Sequence, residues 1–201
     1  MAIRRLILAS ASPYRRELLQ KSGVPIEAIA AVGDERLVQE IDGRRLAAGR
    51  ARFKALDVAR RCTAGDLVIG ADQVVSCGDR IYDKANTLAD AAEHLHSLAG
   101  RVHTLHSAVC LVVQSQVVED FCVNLPMKMR VLSNEAQAAY LKRGEWQGCV
   151  GGYKIEGAGI QLFEPPIGDF FSIIGMPLAE LFSALRRAGV DLLENPSGPW
   201  G

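Results

Sequence analysis

The sequence predicts a mixed α/β fold, and three observations carry that expectation. Short apolar runs ending in polar residues, at 6–9 and 66–72, have the pattern of buried strands. Apolar residues at helical spacing recur between them. Two alternating segments, 107–113 and 117–131, are parted only by Gln114, Ser115 and Gln116, which makes them an antiparallel pair in an otherwise alternating order. With 201 residues, 49% of them hydrophobic, the chain can bury a substantial core as one domain or two closely packed lobes.

In chain order, residues 6–9 form the first strand. Ser12 and Pro13 then open a helix as an N-cap hydroxyl and a first-turn proline, and Gly23 closes it. A second helix covers about 42–61, with Leu46, Ala47, Ala51, Ala55, Val58 and Ala59 as its apolar positions and arginines on its other faces. The run 66–72 is a central strand with polar residues at its C-terminal end, continued by Val74 and Val75 to a turn at 77–79. A helix over 88–98 precedes the hairpin, and another follows Ser133 and ends at Gly144. Three glycine-punctuated stretches, 151–155, 159–163 and 171–174, are expected to be short strands, and 177–187 is the last helix. The whole, 1–201, is expected to be a single domain with its ordered core over about 5–190 and a frayed tail over 191–201.

Lys plus Arg (23) equals Asp plus Glu (23), so no global field draws the chain onto nucleic acid or an anionic membrane. Phosphate chemistry has to come from a local cluster. Five cysteines, an odd number without a CxxC pair, argue against a disulfide framework and a zinc ribbon, and for a reducing, cytoplasmic compartment. The start combines two arginines with an apolar run, but that run stops at Ser10, and residues 13–16 stand where a signal peptide keeps its apolar stretch. Nothing later approaches the roughly 18 apolar residues of a membrane span.

Ser10, Ser12, Arg15 and Arg16 lie where a strand meets a helix N-terminus, whose free N–H groups and partial positive charge bind phosphate. Arginine adds forked donors. Alone, this is also what an ordinary N-cap with solvated arginines looks like. Asp72 and Gln73 end an apolar strand, the place where open α/β sheets bind ligands, and a carboxylate there holds a metal or activates water. Asp34 and Glu35 in a loop and Asp83 and Lys84 after the Gly78 turn complete the set that a metal–triphosphate site requires. His94, His96, His103 and His106 crowd together, yet His94 and His96 point to different helix faces and no HExxH pattern or cysteine partner accompanies them. P-loop and dinucleotide fingerprints do not occur.

Residues 10–19, 70–74 and 151–157, with Gly168-Asp169-Phe170 and Gly175-Met176-Pro177-Leu178, occur together and in order over about residues 5–190. In this the sequence resembles the Maf family of nucleotide pyrophosphatases. The resemblance implies a Maf/ITPase-like fold, an elongated mixed β-sheet flanked by helices in two lobes around a central cleft. It further implies cleavage of a nucleoside triphosphate between its α- and β-phosphates, a divalent cation (Mg²⁺ or Mn²⁺) and homodimers. Carried over position by position, Asp72 matches the general base, Glu35 the early-loop acid that with it would hold the metal, and Ser10, Ser12 and Arg15 the first phosphate-binding segment, with Arg16 beside them. Lys84 matches the lysine after the central hairpin. The family's Leu-Ala-x-x-Lys-Ala here reads Leu46-Ala47-Ala48-Gly49-Arg50-Ala51, so either Arg50 or Lys54, one turn on, takes the lysine's place.

Within the family, the dTTP/UTP branch has Ser-Pro-Arg-Arg and Tyr-Gly-Ile-Gln-Gly. Tyr14 after the proline, Gln73 after Asp72, and Cys149-x-Gly followed by Lys154-x-Glu156-Gly157 look more like the 7-methyl-GTP branch. An aromatic ring stacks on a cationic methylated purine, and a carboxylate accepts from guanine N–H groups. Tyr14, Gln73 and Glu156 are therefore the expected base-reading set, with Lys154 a substrate contact. The expected partner is a nucleoside triphosphate, with no nucleic acid and no membrane. The competing expectations are a dTTP/UTP pyrophosphatase, a nucleotide-binding regulator of septum formation without useful turnover, and a nucleotidyl or phosphoryl transferase. A carboxylate beside the phosphates favours hydrolysis, because a binder needs no base.

Overall fold

The computed structural model describes residues 3–195. Its sheet has six strands: β1 (Arg5–Ala9), β2 (Ile26–Ala28), β3 (Asp66–Cys77), β4 (Arg80–Tyr82), β5 (Val102–Val113) and β6 (Gln116–Lys128). The order is β2-β1-β3-β5-β6. β1 runs parallel to both neighbours, while β5 runs antiparallel to both β3 and β6, which is the mixed sheet expected. β5 turns into β6 through Gln114 and Ser115, whose φ values of 50° and 60° suit a two-residue hairpin of the right twist. β4 folds back on the last residues of β3, on the same edge that β1 occupies further up. The helices are α1 (Pro13–Lys21), α2 (Gly43–Ala59), α3 (Leu88–Leu98), α4 (Asn134–Leu141), α5 (Phe170–Ile173) and α6 (Leu178–Arg187). Five of the six have a side-chain cap, Ser12, Asp42, Thr87, Ser133 and Asp169 each accepting from a backbone N–H of the first turn, while α6 follows Pro177 without one. No helix among the described residues is long and apolar enough to cross a membrane.

Three buried clusters organise the packing. On one face of the sheet, Leu6, Leu8, Leu67 and Ile69 meet Leu19 of α1 and Leu178, Leu181 and Leu185 of α6. On the other face α2 lies on Ile7, Val68 and Val74. The approach there is close: a Cβ on Gly70 would sit 2.1 Å from the Ala51 carbonyl oxygen, so only glycine lets the helix down onto β3. The third cluster gathers Tyr82, Leu95 and Leu98 with Tyr140, Trp146, Tyr153 and Phe163 beyond the far end of β3. These are the two lobes, with β3 running through both.

The three stretches expected as late strands are not strands. Residues 144–157 turn repeatedly, with Gly144, Gly148, Gly151 and Gly152 all near φ +70°, a conformation no strand contains. Residues Ala158–Leu162 form a 3₁₀ turn, and 171–173 belong to α5 with Ile174 as its C-cap, where the Asp169 carboxylate accepts from the Ser172 N–H at 2.7 Å. The glycines set turns that a period-two pattern does not reveal, and Asp169 supplied a cap signal that outweighed the β-branched residues. Of the tail expected to fray, residues 191–195 form a turn held by the Asp191 carboxylate, and the remainder lies outside the described residues.

The four histidines take separate structural posts. His96 is exposed. His94 is half-buried against the edge of Tyr82. His106 bridges strands, its ring nitrogens 2.8 Å from Ser76 Oγ and 2.7 Å from Asn124 Oδ1. His103 is buried beside Phe163, with Nε2 2.9 Å from the Tyr153 hydroxyl, and burial pushes its pKa down from 6.5 to about 4. A histidine with a depressed folded pKa contributes stability above its unfolded value, and that contribution is lost as pH falls towards the folded one. Stability is therefore expected to drop between pH 6.5 and about 4, by up to about 1.4 kcal/mol per pH unit per proton. Denaturant titrations across that window should show a shallower fall in His103→Phe; equal slopes would remove His103 as the source.

Candidate active site

β3 loses its neighbour where the sheet changes partners. β1 pairs with it as far as Gly70 and β4 begins at Val75, so residues 71–74 have no strand on that edge. A cleft of about 540 Å³ opens there between the two lobes. Side chains alternate across a strand, which sends Asp72 to the α2 face and Gln73 to the opposite one.

Asp72 is buried. Its Oδ1 lies 2.6 Å from the Lys54 ammonium, which is also 2.5 Å from Glu35 Oε2 on the turn Glu35–Leu37. One ammonium thus neutralises two carboxylates that would otherwise repel. Asp72 Oδ2 is buried and has no hydrogen-bond partner among the described residues, which marks a place left for a donor or a cation. Two carboxylates with a free oxygen in a phosphate-sized cleft suit a hard cation that keeps several waters and shares its shell with substrate phosphates. Lys54 reaches the carboxylate pair, whereas Arg50, which also lines the cleft, pairs with Asp83 at 3.1 Å. Lys84 lines the same wall, tied through its backbone to Val150.

The first phosphate-binding segment is only partly in the cleft. Ser12 lines it as the cap of α1. Ser10 is buried behind it, its hydroxyl accepting from the Ser12 N–H at 3.1 Å, and neither it nor the exposed Arg16 reaches the cleft wall. Arg15 does line the wall, but its Nε donates to the Gly175 carbonyl at 3.0 Å and its Nη1 to the Ala71 carbonyl at 3.1 Å. It stitches the open edge of β3 to the loop after α5. Burial works against its charge, and the Asp72 and Glu35 carboxylates support it.

Tyr14, Gln73 and Glu156 all line the cleft. The two N–H groups of Gln73 are both used, donating to the carbonyls of Ser172 (3.1 Å) and Ile173 (2.8 Å), so only its oxygen is left to a ligand. Lys154, at the rim, donates to the Tyr14 hydroxyl at 3.0 Å, covers the Tyr14 ring at 4.9 Å, and lies 3.8 Å from Glu156. The Tyr14 contact is the chief reason its pKa is raised. An apolar wall of Leu105, Tyr153, Ile155 and Ile173 completes the cleft. Arg36, Asn86 and Tyr153 are cleft residues the sequence did not single out. Arg36 directly follows Glu35, and that adjacency was the available signal.

The Maf family profile, described as Maf-like protein, matches residues 5–188. A 7-methyl-GTP pyrophosphatase from Rhizobium meliloti (strain 1021) is 46% identical over 192 residues, covering 92% of this chain and 96% of that protein. A nucleoside triphosphate pyrophosphatase from Rhodopseudomonas palustris (strain BisB18) is 42% identical over 188 residues, covering 90% and 93%. With relatives of that identity along nearly its full length, a cleft joining paired carboxylates to a ring of cations defines a class: this is a hydrolase acting on acid anhydrides. More narrowly, the chain belongs to the Maf family.

Proposed function

We propose that the chain is a nucleoside triphosphate pyrophosphatase that releases the monophosphate and pyrophosphate, with 7-methyl-GTP or a related purine nucleotide as its preferred substrate. The observation that carries this is the Asp72–Lys54–Glu35 cluster in the gap between β1 and β4. Asp72 takes a proton from water as the water oxygen bonds to the α-phosphorus, and the α–β bridging oxygen leaves with pyrophosphate. Asp72 and Glu35 would hold Mg²⁺ or Mn²⁺, which supplies charge neutralisation to the polyphosphate when bound. Lys54 and Lys84 meet the remaining phosphate charge, and the Ser12 end of α1 contributes its free N–H groups. The five free cysteines accord with a reducing, cytoplasmic setting.

Relatives named for 7-methyl-GTP support the purine preference, as does the rim. A cationic purine placed over Tyr14 would take up the ring face that Lys154 covers in the ligand-free cleft. Glu156 would accept from guanine N–H groups, and a base without those donors would leave it unpaired. Incubation with a triphosphate panel and Mg²⁺ or Mn²⁺ tests the reaction: pyrophosphate with monophosphate is expected, and thermal stabilisation without product would instead show a binder. On the same panel, Glu156→Gln should shrink the kcat/KM gap between 7-methyl-GTP or GTP and dTTP or UTP by about tenfold, more than it lowers activity overall. A wild type preferring dTTP and UTP would overturn the base assignment.

A further inference from the structure

The cleft holds five basic side chains, and their existing bonds separate them. Arg15 is tied to two backbone carbonyls, Arg50 to Asp83, and Lys54 to Asp72 and Glu35. Among the described cleft residues that leaves Lys84 and Arg36 without a bond to the opposite wall. Arg36 is held by its neighbour Asp34, whose carboxylate accepts from Nε at 2.8 Å and from Nη2 at 3.0 Å. That contact fixes the fork's orientation and leaves Nη1 uncommitted.

Exposure places Arg36 along the cleft. Side chains are 10% exposed at Asp72, 13% at Lys54, 41% at Glu35 and 84% at Arg36, a progression from floor to mouth. If the α-phosphate lies at Asp72 and the base at Tyr14 and Glu156, as in the function proposed above, the β- and γ-phosphates extend away from the base along this line. The geometry points to Arg36 as a substrate-contacting residue for the half of the triphosphate that leaves as pyrophosphate. A guanidinium there meets the most highly charged and most solvated part of the ligand, to which the uncommitted Nη1 can donate a charge-assisted hydrogen bond.

Inorganic pyrophosphate with Mg²⁺ is the probe, titrated calorimetrically into the wild type, Arg36→Ala and Arg36→Lys, with GMP as the reference ligand. Arg36→Ala is expected to raise the Kd for pyrophosphate about tenfold, the scale of one charge-assisted hydrogen bond, while Arg36→Lys recovers part of the loss and GMP binds all three alike. Unchanged pyrophosphate affinity in Arg36→Ala, an equal loss for GMP, or a wild type that does not bind pyrophosphate would each overturn the assignment. The inference rests on the pyrophosphatase reading, yet the two fail separately. A wild type that binds pyrophosphate through Arg36 but turns over no triphosphate sinks only the activity, and full turnover with an indifferent Arg36 sinks only this contact.

Discussion

Asp72→Asn is expected to lower kcat by at least about 100-fold, the usual scale for losing a general base, with a thermal midpoint close to that of the wild type. Asparagine keeps the shape of the side chain, and its carbonyl oxygen can still accept from Lys54, which lies 2.6 Å from Oδ1 in the wild type. What it loses is the negative charge and the ability to take a proton. Position 72 has two proposed duties, base and metal ligand, and they separate on titration with the cation. Loss of the base leaves kcat low at any Mg²⁺ concentration, whereas loss of a ligand alone is repaired by raising it. Near-normal turnover in the variant, or full rescue by Mg²⁺, would remove Asp72 as the base.

The reason this residue stood out in the sequence, and others did not, is a matter of range. Strand β3, helix α2 and the Ser12 cap depend on periodicity and on hydroxyls a few residues away, so the local sequence specifies them. Asp72 was legible because the end of an apolar strand is both a local pattern and a ligand-binding place. The bonds of Gln73 to the carbonyls of residues 172 and 173 span about a hundred positions, and the bond of the Arg15 side chain to the Gly175 carbonyl spans 160. No pattern around residue 73 or 15 announces such a partner, which is why these structural bonds were not legible in the sequence. The partners of Arg50 and Lys54 have the same character: which carboxylate each meets, Asp83 or the Asp72–Glu35 pair, depends on how α2 lies over the sheet. The late glycines misled for the opposite reason: their positive φ values are local, but glycine fits a strand kink and a turn equally well in sequence.

Lys54→Met is expected to act in two opposite directions at once. Methionine retains most of the packing of a side chain that is only 13% exposed, so the fold should survive. The ammonium between Asp72 and Glu35 disappears, however, and at separations of this order two like charges without a counter-charge repel by several kcal/mol at an effective dielectric constant near 20. Arg15 would remain nearby but tied to the Gly175 and Ala71 carbonyls, so a divalent cation would be the group best able to take the ammonium's place between the carboxylates. Its affinity should rise, because it no longer competes with a resident ammonium for the same oxygens. Turnover should nevertheless fall by about 100-fold, because a donor that meets developing phosphate charge has been lost. The two readouts come from Mn²⁺ binding by the ligand-free protein and from kcat/KM at saturating Mg²⁺. Weaker turnover with unchanged Mn²⁺ affinity would make Lys54 a phosphate contact that merely rests on the carboxylates. Tighter Mn²⁺ binding with unchanged turnover would make it a placeholder for the cation with no part in the reaction. Only the opposed pair of changes supports a lysine that holds the carboxylates before substrate arrives and turns to the polyphosphate afterwards.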